Sequence, residues 1–286
     1  MSTDFLPAGF LEFLKPDVDR AHFIEKWLDL HKIENSTIVI DGSRHIYVQL
    51  RRECYNSAFK VKTLIAHYDR THGSPGANDN SAAVFQLMLL AERLMHTAEV
   101  HNVRIIFADS EELGHLEDQG TYKIAKRFSE LNIVSDDVFV FDCCGRGDAL
   151  VISTAGKTTE GGLDFERGFA DLLTRAQKLA QTTMPNNFYS LPVPYSDNAA
   201  FLAVRIPAVA VAVLPSDEAK RLRVQSQCKH ITQKNLYLGD KKLLKILPET
   251  WQLIHTGNDT AESLTPEAFV LMQSFLDAIA RTNTPR

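Results

Sequence analysis

Three short apolar runs in this sequence, which we interpret as buried strands, are each followed by side chains that can bind a metal or move a proton. These side chains are His67 with Asp69, Glu111 with Glu112, and Asp142. In α/β proteins the carboxyl ends of the strands share one edge of the sheet, where ligands bind. The sequence therefore predicts that these five residues converge on one site.

Two further segments offer possible ligands. The segment GSPGANDN, residues 73–80, bends at its glycines and proline and places Asp79 just before a predicted helix. Asp79 is either a helix N-cap, a position that favours aspartate, or a carboxylate that bridges two metals. His255 lies before a glycine and an Asn-Asp turn, and a single histidine is more often structural than a ligand.

The spacing within the two residue pairs suggests what each member could do. His67 and Asp69 point the same way on an extended segment, so Asp69 could steady the imidazole of a metal-bound His67. Glu111 and Glu112 are adjacent carboxylates that repel each other, and a dication between them would relieve the repulsion. One could then ligate while the other acts as general base. The alternative for His67 and Asp69 is a strand end with a polar turn, and the alternative for Glu111 and Glu112 is a solvated acidic turn.

Hydrophobic periodicity predicts the elements that position these residues. Strands are predicted over 37–40, 46–50, 61–66, 103–108, 138–141, 150–153 and 208–214, and helices over 17–30, 81–95, 120–131, 165–180, 243–254 and 266–281. Alternating strands and helices indicate an α/β sandwich with a largely parallel sheet, in which strand 150–153 neighbours strand 138–141. No linker or composition shift divides the chain, so residues 1–286 are predicted to form a single catalytic domain.

The composition excludes several classes of protein. Of 286 residues, 44% are hydrophobic and 23% charged, as expected for a globular protein. A net charge of -5 offers no basic surface for nucleic acid. No run approaches the ~18 apolar residues that span a bilayer, and the N-terminus lacks a signal-peptide pattern. Four cysteines without zinc-finger or redox spacing fit a cytoplasmic protein with reduced thiols. The oligomeric state stays open.

Five segments together resemble the double-zinc exopeptidases of the bacterial leucyl aminopeptidase type, a family that also contains glutamate carboxypeptidase II and glutaminyl cyclase. The segments follow the family's order and are HYD (67–69), GSPGANDN (73–80), SEELG (110–114), FD (141–142) and IHTGNDTAESL (254–264). The resemblance implies a three-layer α/β/α sandwich with a mixed, largely parallel sheet, the phosphorylase/hydrolase-like zinc-peptidase fold. It also implies an aminopeptidase acting on a peptide or small amide substrate.

The resemblance assigns a role to each matching residue. Asp79 would bridge two zinc ions per chain, and Glu111 would be the general base that activates a metal-bridging water. Asp69 would orient His67. The remaining ligands would be His67 and Asp142 at one metal, and Glu112 and His255 at the other.

Two segments depart from the family's pattern. In PYSDNAAF, residues 194–201, Asn198 stands where the family usually has histidine, which affects substrate preference more than catalysis. Asp197 could meet a substrate amine, although a helix cap is the favoured interpretation. Residues 215–242 match no family pattern and are interpreted as a pocket-lining loop.

Three other functions remain open. A glutaminyl cyclase-like acyltransferase would use one zinc, but Ile254 stands where cyclases usually carry Trp. A carboxypeptidase or amide deacylase would use the same ligands, and a carboxypeptidase should aim a cation at the substrate carboxylate. Candidate cations are Arg70, Arg146, Arg205 and Arg221. A catalytically inactive binding homologue should have lost ligands, whereas every ligand position is filled here.

Overall fold

The computed structural model describes residues 3–237 and 246–286, and within them a mixed eight-stranded sheet forms the centre. The strands are β1 (Glu34–Ile40), β2 (Ser43–Gln49), β3 (Lys62–His67), β4 (Val103–Ala108), β5 (Asp137–Phe141), β6 (Ala149–Ser153), β7 (Phe188–Leu191) and β8 (Ala208–Leu214). Their order is β1-β2-β4-β3-β5-β8-β6-β7. Strands β4, β3, β5 and β8 are parallel in the middle, and the β1–β2, β2–β4 and β6–β8 pairs are antiparallel.

Helices cover both faces of this sheet. The helices are α1 (Phe10–Phe13), α2 (Arg20–Leu30), α3 (Ala82–Met95), α4 (Gly120–Glu130), α5 (Leu163–Thr183), α6 (Asn198–Ala203), α7 (Ser216–Gln227), α8 (Gln233–Tyr237), α9 (Glu249–Leu253) and α10 (Pro266–Arg281). Side chains of α2, α3, α5 and α10 belong to one apolar cluster, and those of α4, α6 and α7 belong to a second. The predicted α/β/α sandwich with a mixed sheet is therefore confirmed.

Strand β8, AVAVAVL, shows how the two clusters share the sheet. Successive side chains of a strand point to opposite faces. Accordingly Val209, Val211 and Val213 pack in the first cluster, while the intervening alanines pack in the second. A strand buried on both faces consists of apolar residues throughout, as is typical of parallel strands covered by helices. The central strands thus form a rigid base for whatever follows their carboxyl ends.

Three sequence-based expectations about the fold are wrong or incomplete. Strand β6 does not neighbour β5, because β8 lies between them, and strand order depends on long-range packing that local periodicity does not reveal. Residues 215–242 were expected to be a pocket-lining loop, but their described part contains helices α7 and α8, and residues 238–242 lie outside the described residues. In α7 the buried Ala219 and Leu222 lie three apart. Of the helix expected over 243–254, residues 243–245 lie outside the described residues. The observed helix begins at Glu249, directly after Pro248. Strand β7 was not predicted.

Two further properties of the described residues bear on the expected class of protein. None of their helices combines the length and apolar character needed to cross a bilayer. All four cysteines are unpaired, with Cys54, Cys143 and Cys144 buried and Cys228 exposed. Free thiols were the expectation from the cysteine spacing.

Replacing Phe85 with Ala should destabilise the fold strongly. The Phe85 ring, on α3, is fully buried and contacts the rings of Phe10, Phe13 and Phe23. Removing a buried Phe ring leaves a cavity, so we expect the unfolding free energy to fall by about 3–5 kcal/mol. Denaturant unfolding measures the loss, and Val270→Ala, on the exposed side of α10, is the control. Equal stability of both variants would contradict this description of the core.

Candidate metal centre

The carboxyl ends of three neighbouring strands carry the predicted site residues. His67 is the last residue of β3, Asp142 directly follows β5, and Glu111 lies three residues beyond β4. Since β3 lies between β4 and β5 and is parallel to both, these ends meet at one edge of the sheet. The predicted convergence of strand ends is thus what the topology produces.

Asp79 occupies an irregular segment, Ala77–Ser81, rather than the cap of helix α3. The segment starts after Gly76, whose φ of 66° lies in the left-handed region that glycine adopts easily. The Asp79 side chain is 5% exposed. Its Oδ1 lies 3.2 Å from His67 Nε2 and its Oδ2 lies 3.0 Å from His255 Nε2. One carboxylate therefore lies between two imidazoles that are 188 residues apart in the chain.

Two groups of possible metal ligands share this carboxylate. In each group the ligand atoms all lie within 4.8 Å of one another. The first group is His67, Asp79 and Asp142, and the second is Asp79, Glu112 and His255. Within them, His67 Nε2 lies 3.8 Å from Asp142 Oδ1, and His255 Nε2 lies 3.2 Å from Glu112 Oε2. The structure brings together all five residues that the sequence nominated as ligands.

Asp69 holds the backbone of the two adjacent glutamates. Its Oδ1 accepts a hydrogen bond from the Glu111 N–H at 3.1 Å, and its Oδ2 accepts one from the Glu112 N–H at 3.0 Å. The Asp69 carboxylate also lies 3.5 Å from His67 Nδ1, on the ring side away from Asp79. Thr71 donates its hydroxyl to Glu112 Oε2 at 2.7 Å. Asp69 therefore contacts its own pair partner, His67, and both glutamates of the second pair.

Three buried side chains connect the segment that contains Asp79 to its surroundings. Asn80 Nδ2 donates to the carbonyl of Phe141, at the end of β5, over 2.8 Å. Asn78 Oδ1 accepts from the Gly145 N–H at 2.7 Å. On the other side, Asp259 accepts the backbone N–H of Asn78 at 2.8 Å. Hydrogen bonds thus anchor this segment both to strand β5 and to the loop that carries His255.

Backbone conformation adds to the distinct character of the site. Ser110, Cys143 and His255 have φ values of 65°, 55° and 60°, in the left-handed region that costs energy for residues other than glycine. Ser110 precedes Glu111 and Cys143 follows Asp142. Three of the nine residues other than glycine that have a positive φ among the described residues therefore lie at, or directly beside, a nominated site residue.

The crowded carboxylates shift one another's pKa values. Burial, together with the carboxylates of Asp197, Asp142 and Asp79, raises the pKa of Glu111 well above its usual range. The Asp79 carboxylate at 3.0 Å outweighs burial and raises the pKa of His255 to about 9. Burial is the main cause at Glu111 and the Asp79 carboxylate is the main cause at His255, and at both residues nearby negative charge favours the protonated form. A bound cation would neutralise the same charge.

The residues present fit a pair of zinc ions. Both ring nitrogens of His67 and Oδ1 of Asp142 are buried and make no hydrogen bond among the described residues. Buried polar atoms are normally satisfied, so these atoms point to a partner of another kind. Imidazole and carboxylate donors suit zinc, and three protein ligands leave a coordination position open, as in catalytic zinc sites.

A cavity of about 100 Å³ lies beside these ligands. Its lining includes acidic and imidazole groups, namely Asp79, Glu111, Asp142 and His255, and apolar side chains, among them Val193, Ala210, Trp251 and Ile254. Within the described ranges, no Arg or Lys side chain lines this cavity. The lining combines negative charge with an apolar wall.

The four arginines considered for substrate binding contact other parts of the chain. Arg70 donates to the carbonyls of residues 14, 15 and 75, and Arg146 donates to Thr250 and to the carbonyl of residue 263. Arg205 donates to the carbonyl of residue 202, and Arg221 pairs with Asp217. None of the four side chains belongs to the cavity lining.

Asp197 and Asn198 belong to the segment PYSDNAAF, which departs from the family's pattern. Asp197 is fully buried, and burial raises its pKa to about 7. Asp197 occupies the N-cap position of α6, as the favoured interpretation expected, but its side chain makes no capping hydrogen bond. Asn198 Oδ1 accepts the N–H of Ser196, a residue that lines the cavity.

A family model confirms the resemblance seen in the sequence. The model of Peptidase family M28 matches residues 52–279. The chain belongs to this family. Membership of M28, together with the donor set, indicates a hydrolase of the zinc-peptidase kind. A search among curated proteins returned no match.

Solved structures share the fold of this M28 chain. The LapA aminopeptidase of Legionella pneumophila is 16% identical, with a TM-score of 0.67 over 98% of this chain and 71% of that chain. BSAP, a zinc aminopeptidase from Bacillus subtilis, is 17% identical, with a TM-score of 0.56 over 82% of this chain and 49% of that chain. A Bacteroides thetaiotaomicron glutaminyl cyclase is 15% identical, with a TM-score of 0.67 over 96% of this chain and 94% of that chain.

Sequence reasoning missed several residues that support the site. The buried Arg20, on α2, donates to the carbonyls of Tyr68 and Pro75 over 2.9 Å each, and nothing near Arg20 in the sequence signals this contact. Asp259 was interpreted only as part of a turn. The signal that could have found it is an aspartate four residues after a candidate ligand, in a segment that already resembled the family.

Zinc should stabilise the folded M28 chain, and Asp79→Asn should abolish most of this effect. Asp79 belongs to both ligand groups, so its loss weakens both. At a free zinc concentration a thousand times the Kd, one site contributes about 4 kcal/mol of stability. Thermal unfolding with and without a chelator measures the effect. The control Asp277→Asn, which pairs with Arg93 elsewhere, should respond to zinc as the wild type does; an unchanged response of Asp79→Asn would contradict the shared site.

Proposed function

We propose that this chain is a two-zinc aminopeptidase that hydrolyses the N-terminal peptide bond of its substrates. The observation that carries the proposal is the position of the Asp79 carboxylate, with one oxygen 3.2 Å from His67 Nε2 and the other 3.0 Å from His255 Nε2. A carboxylate shared in this way is what a two-metal hydrolase needs to hold its ions side by side.

The two ligand groups would each hold one ion. His67, Asp79 and Asp142 would bind the first, and Asp79, Glu112 and His255 the second. When bound, zinc lowers the pKa of a water molecule toward neutrality and polarises the substrate carbonyl. Asp69, 3.5 Å from His67 Nδ1, would keep that imidazole oriented with Nε2 toward the metal.

Glu111 is the general base in this proposal. It lines the cavity, and its backbone is held on both sides, because Asp69 accepts its N–H and Gln119 Nε2 donates to its carbonyl. Glu111 would take a proton from the attacking water and give it to the amine that leaves.

The lining of the cavity favours an aminopeptidase over a carboxypeptidase. Of the acids in the lining, Glu111 is the one outside the two ligand groups, so it is the carboxylate left to attract a free α-ammonium group when zinc neutralises the others. A free α-carboxylate would find no Arg or Lys in the lining that the described residues provide. The apolar wall suits an uncharged N-terminal side chain, and the volume of about 100 Å³ suits a small one.

A glutaminyl cyclase-like activity is the second candidate. It is favoured by the near-complete mutual coverage with the Bacteroides thetaiotaomicron cyclase. Against it stands the completeness of the group of His67, Asp79 and Asp142, which a one-zinc enzyme does not need. Zinc content per chain therefore separates the two candidates.

Replacing Glu111 with Gln should remove most of the activity without removing the metal. Loss of a general base typically lowers kcat by about 10²- to 10⁴-fold, while zinc content and thermal stability should stay close to wild type because Glu111 belongs to neither ligand group. Steady-state kinetics and metal analysis test both statements. Glu117→Gln, an exposed neighbour, is the matched control. Wild-type turnover by Glu111→Gln would show that the base lies elsewhere.

Peptides with free and blocked ends should separate the possible activities. We expect release of the first residue from a peptide with a free N-terminal leucine, and no cleavage when that amine is acetylated. Amidation of the C-terminus should have little effect, because the proposed site binds the amine end. Mass spectrometry follows all products. Cleavage of the acetylated peptides would support a deacylase or carboxypeptidase, and cyclisation of an N-terminal glutamine without cleavage would support the cyclase.

A further inference from the structure

Asp259 joins the two irregular segments that carry Asp79 and His255. It is fully buried. Its Oδ1 accepts the Asn78 N–H at 2.8 Å, and its Oδ2 accepts the Asp79 N–H at 3.1 Å. Its own carbonyl accepts the Ala77 N–H at 3.1 Å. Three consecutive N–H groups of the Asp79 segment therefore end on one residue of the His255 loop.

The opposite side of the Asp79 segment is held by other residues. Asn80 Nδ2 bonds to the carbonyl of Phe141, and Asn78 Oδ1 bonds to the Gly145 N–H. Both partners flank Asp142. The Asp79 segment is thus tied to the first ligand group by its asparagine side chains and to the second by Asp259.

The position of His255 depends on the hydrogen bonds of Asp259 more than the position of His67 does. His67 ends a buried strand and its side chain is 1% exposed, whereas the His255 side chain is 53% exposed in a loop with left-handed backbone at that residue. Apart from the contacts of the His255 ring itself with Asp79 and Glu112, the hydrogen bonds that connect residues 255–262 to distant parts of the described chain are those of Asp259.

We propose that Asp259 is a positioning residue for the second metal, the one that Asp79, Glu112 and His255 would share. Its carboxylate fixes the distance between Asp79 Oδ2 and His255 Nε2 by joining the two segments. This inference rests on the proposed two-zinc function and adds to it that the two sites are supported separately. Loss of Asp259 should weaken the second site while the first keeps its ion.

The isosteric variant Asp259→Asn tests this directly. An ionised carboxylate accepts two N–H groups, and such charge-assisted bonds are strong. An amide offers one oxygen and turns an NH2 group toward the other N–H, which is a donor facing a donor. Loss of a residue that orients a ligand typically weakens metal binding by about 10- to 100-fold, and we expect that loss at one site of two.

The experiment measures zinc bound per chain at buffered free zinc concentrations, and the absorption spectrum with cobalt in place of zinc. Wild type should bind two ions. Asp259→Asn should bind the first with wild-type affinity and the second about 10- to 100-fold more weakly. Its one-equivalent cobalt spectrum should match that of His255→Ala and differ from that of His67→Ala. Asp259→Ser, which keeps one acceptor on a shorter side chain, should behave in the same way and serves if the Asn variant does not fold.

Asp148→Asn is the matched control. Asp148 also accepts a backbone N–H, that of Ser216, at 2.7 Å, but it contacts neither ligand-bearing segment among the described residues. It should bind two zinc ions like wild type, even if its thermal stability falls. This control separates a metal-positioning role from a general loss of stability.

The possible failures are distinguishable. If wild type binds two ions and a folded Asp259 variant binds both with unchanged affinity, or loses both equally, Asp259 does not position the second metal. If wild type itself binds a single ion, the two-zinc function is wrong, and this inference fails with it.

Discussion

Carboxylates that are brought close together repel one another, and this structure places several at one edge of its sheet. Asp79 is the point where that repulsion is relieved, because each of its oxygens faces an imidazole. Two imidazoles do not neutralise all the surrounding acids, so the neighbouring carboxylates add to burial in raising the pKa of Glu111, and Asp79 raises the pKa of His255. The site is therefore built for positive charge, and its ligands are arranged around the one carboxylate that both groups share.

The fold uses the same device twice to hold this arrangement. Asp69 accepts the N–H groups of two consecutive residues, Glu111 and Glu112, and Asp259 accepts those of two others, Asn78 and Asp79. In each case a carboxylate outside the ligand groups accepts backbone hydrogen bonds from a residue that belongs to a ligand group. Backbone N–H groups that would otherwise be unsatisfied in irregular segments become anchors, and the ligand side chains stay free to face the site.

Much of this centre could be predicted because its ligands follow buried strands, whose short apolar runs are visible in the sequence. His67, Glu112 and Asp142 are examples, and the resemblance to M28 peptidases added Asp79 and His255. Other features could not be predicted for physical reasons. The insertion of β8 between β5 and β6 depends on packing across the whole sheet. The contact of Arg20 with the Tyr68 carbonyl spans 48 residues, and helix α7 has few apolar residues to mark its buried side.

The choice between peptidase and cyclase depends on the wall of the cavity as well as on the number of zinc ions. Ligands face the ions, so relatives with different reactions can keep the same donors, while the substrate meets the cavity wall. In this chain the lining includes Trp251 and Ile254 beside His255, and it includes Ser196, the chain neighbour of the buried Asp197. Sequence identities of 15 to 17% with both kinds of enzyme reflect a shared scaffold, on which the wall can change freely. The lining residues outside the ligand groups, chiefly Glu111 and the apolar wall, are therefore what should decide which end of a substrate is accepted.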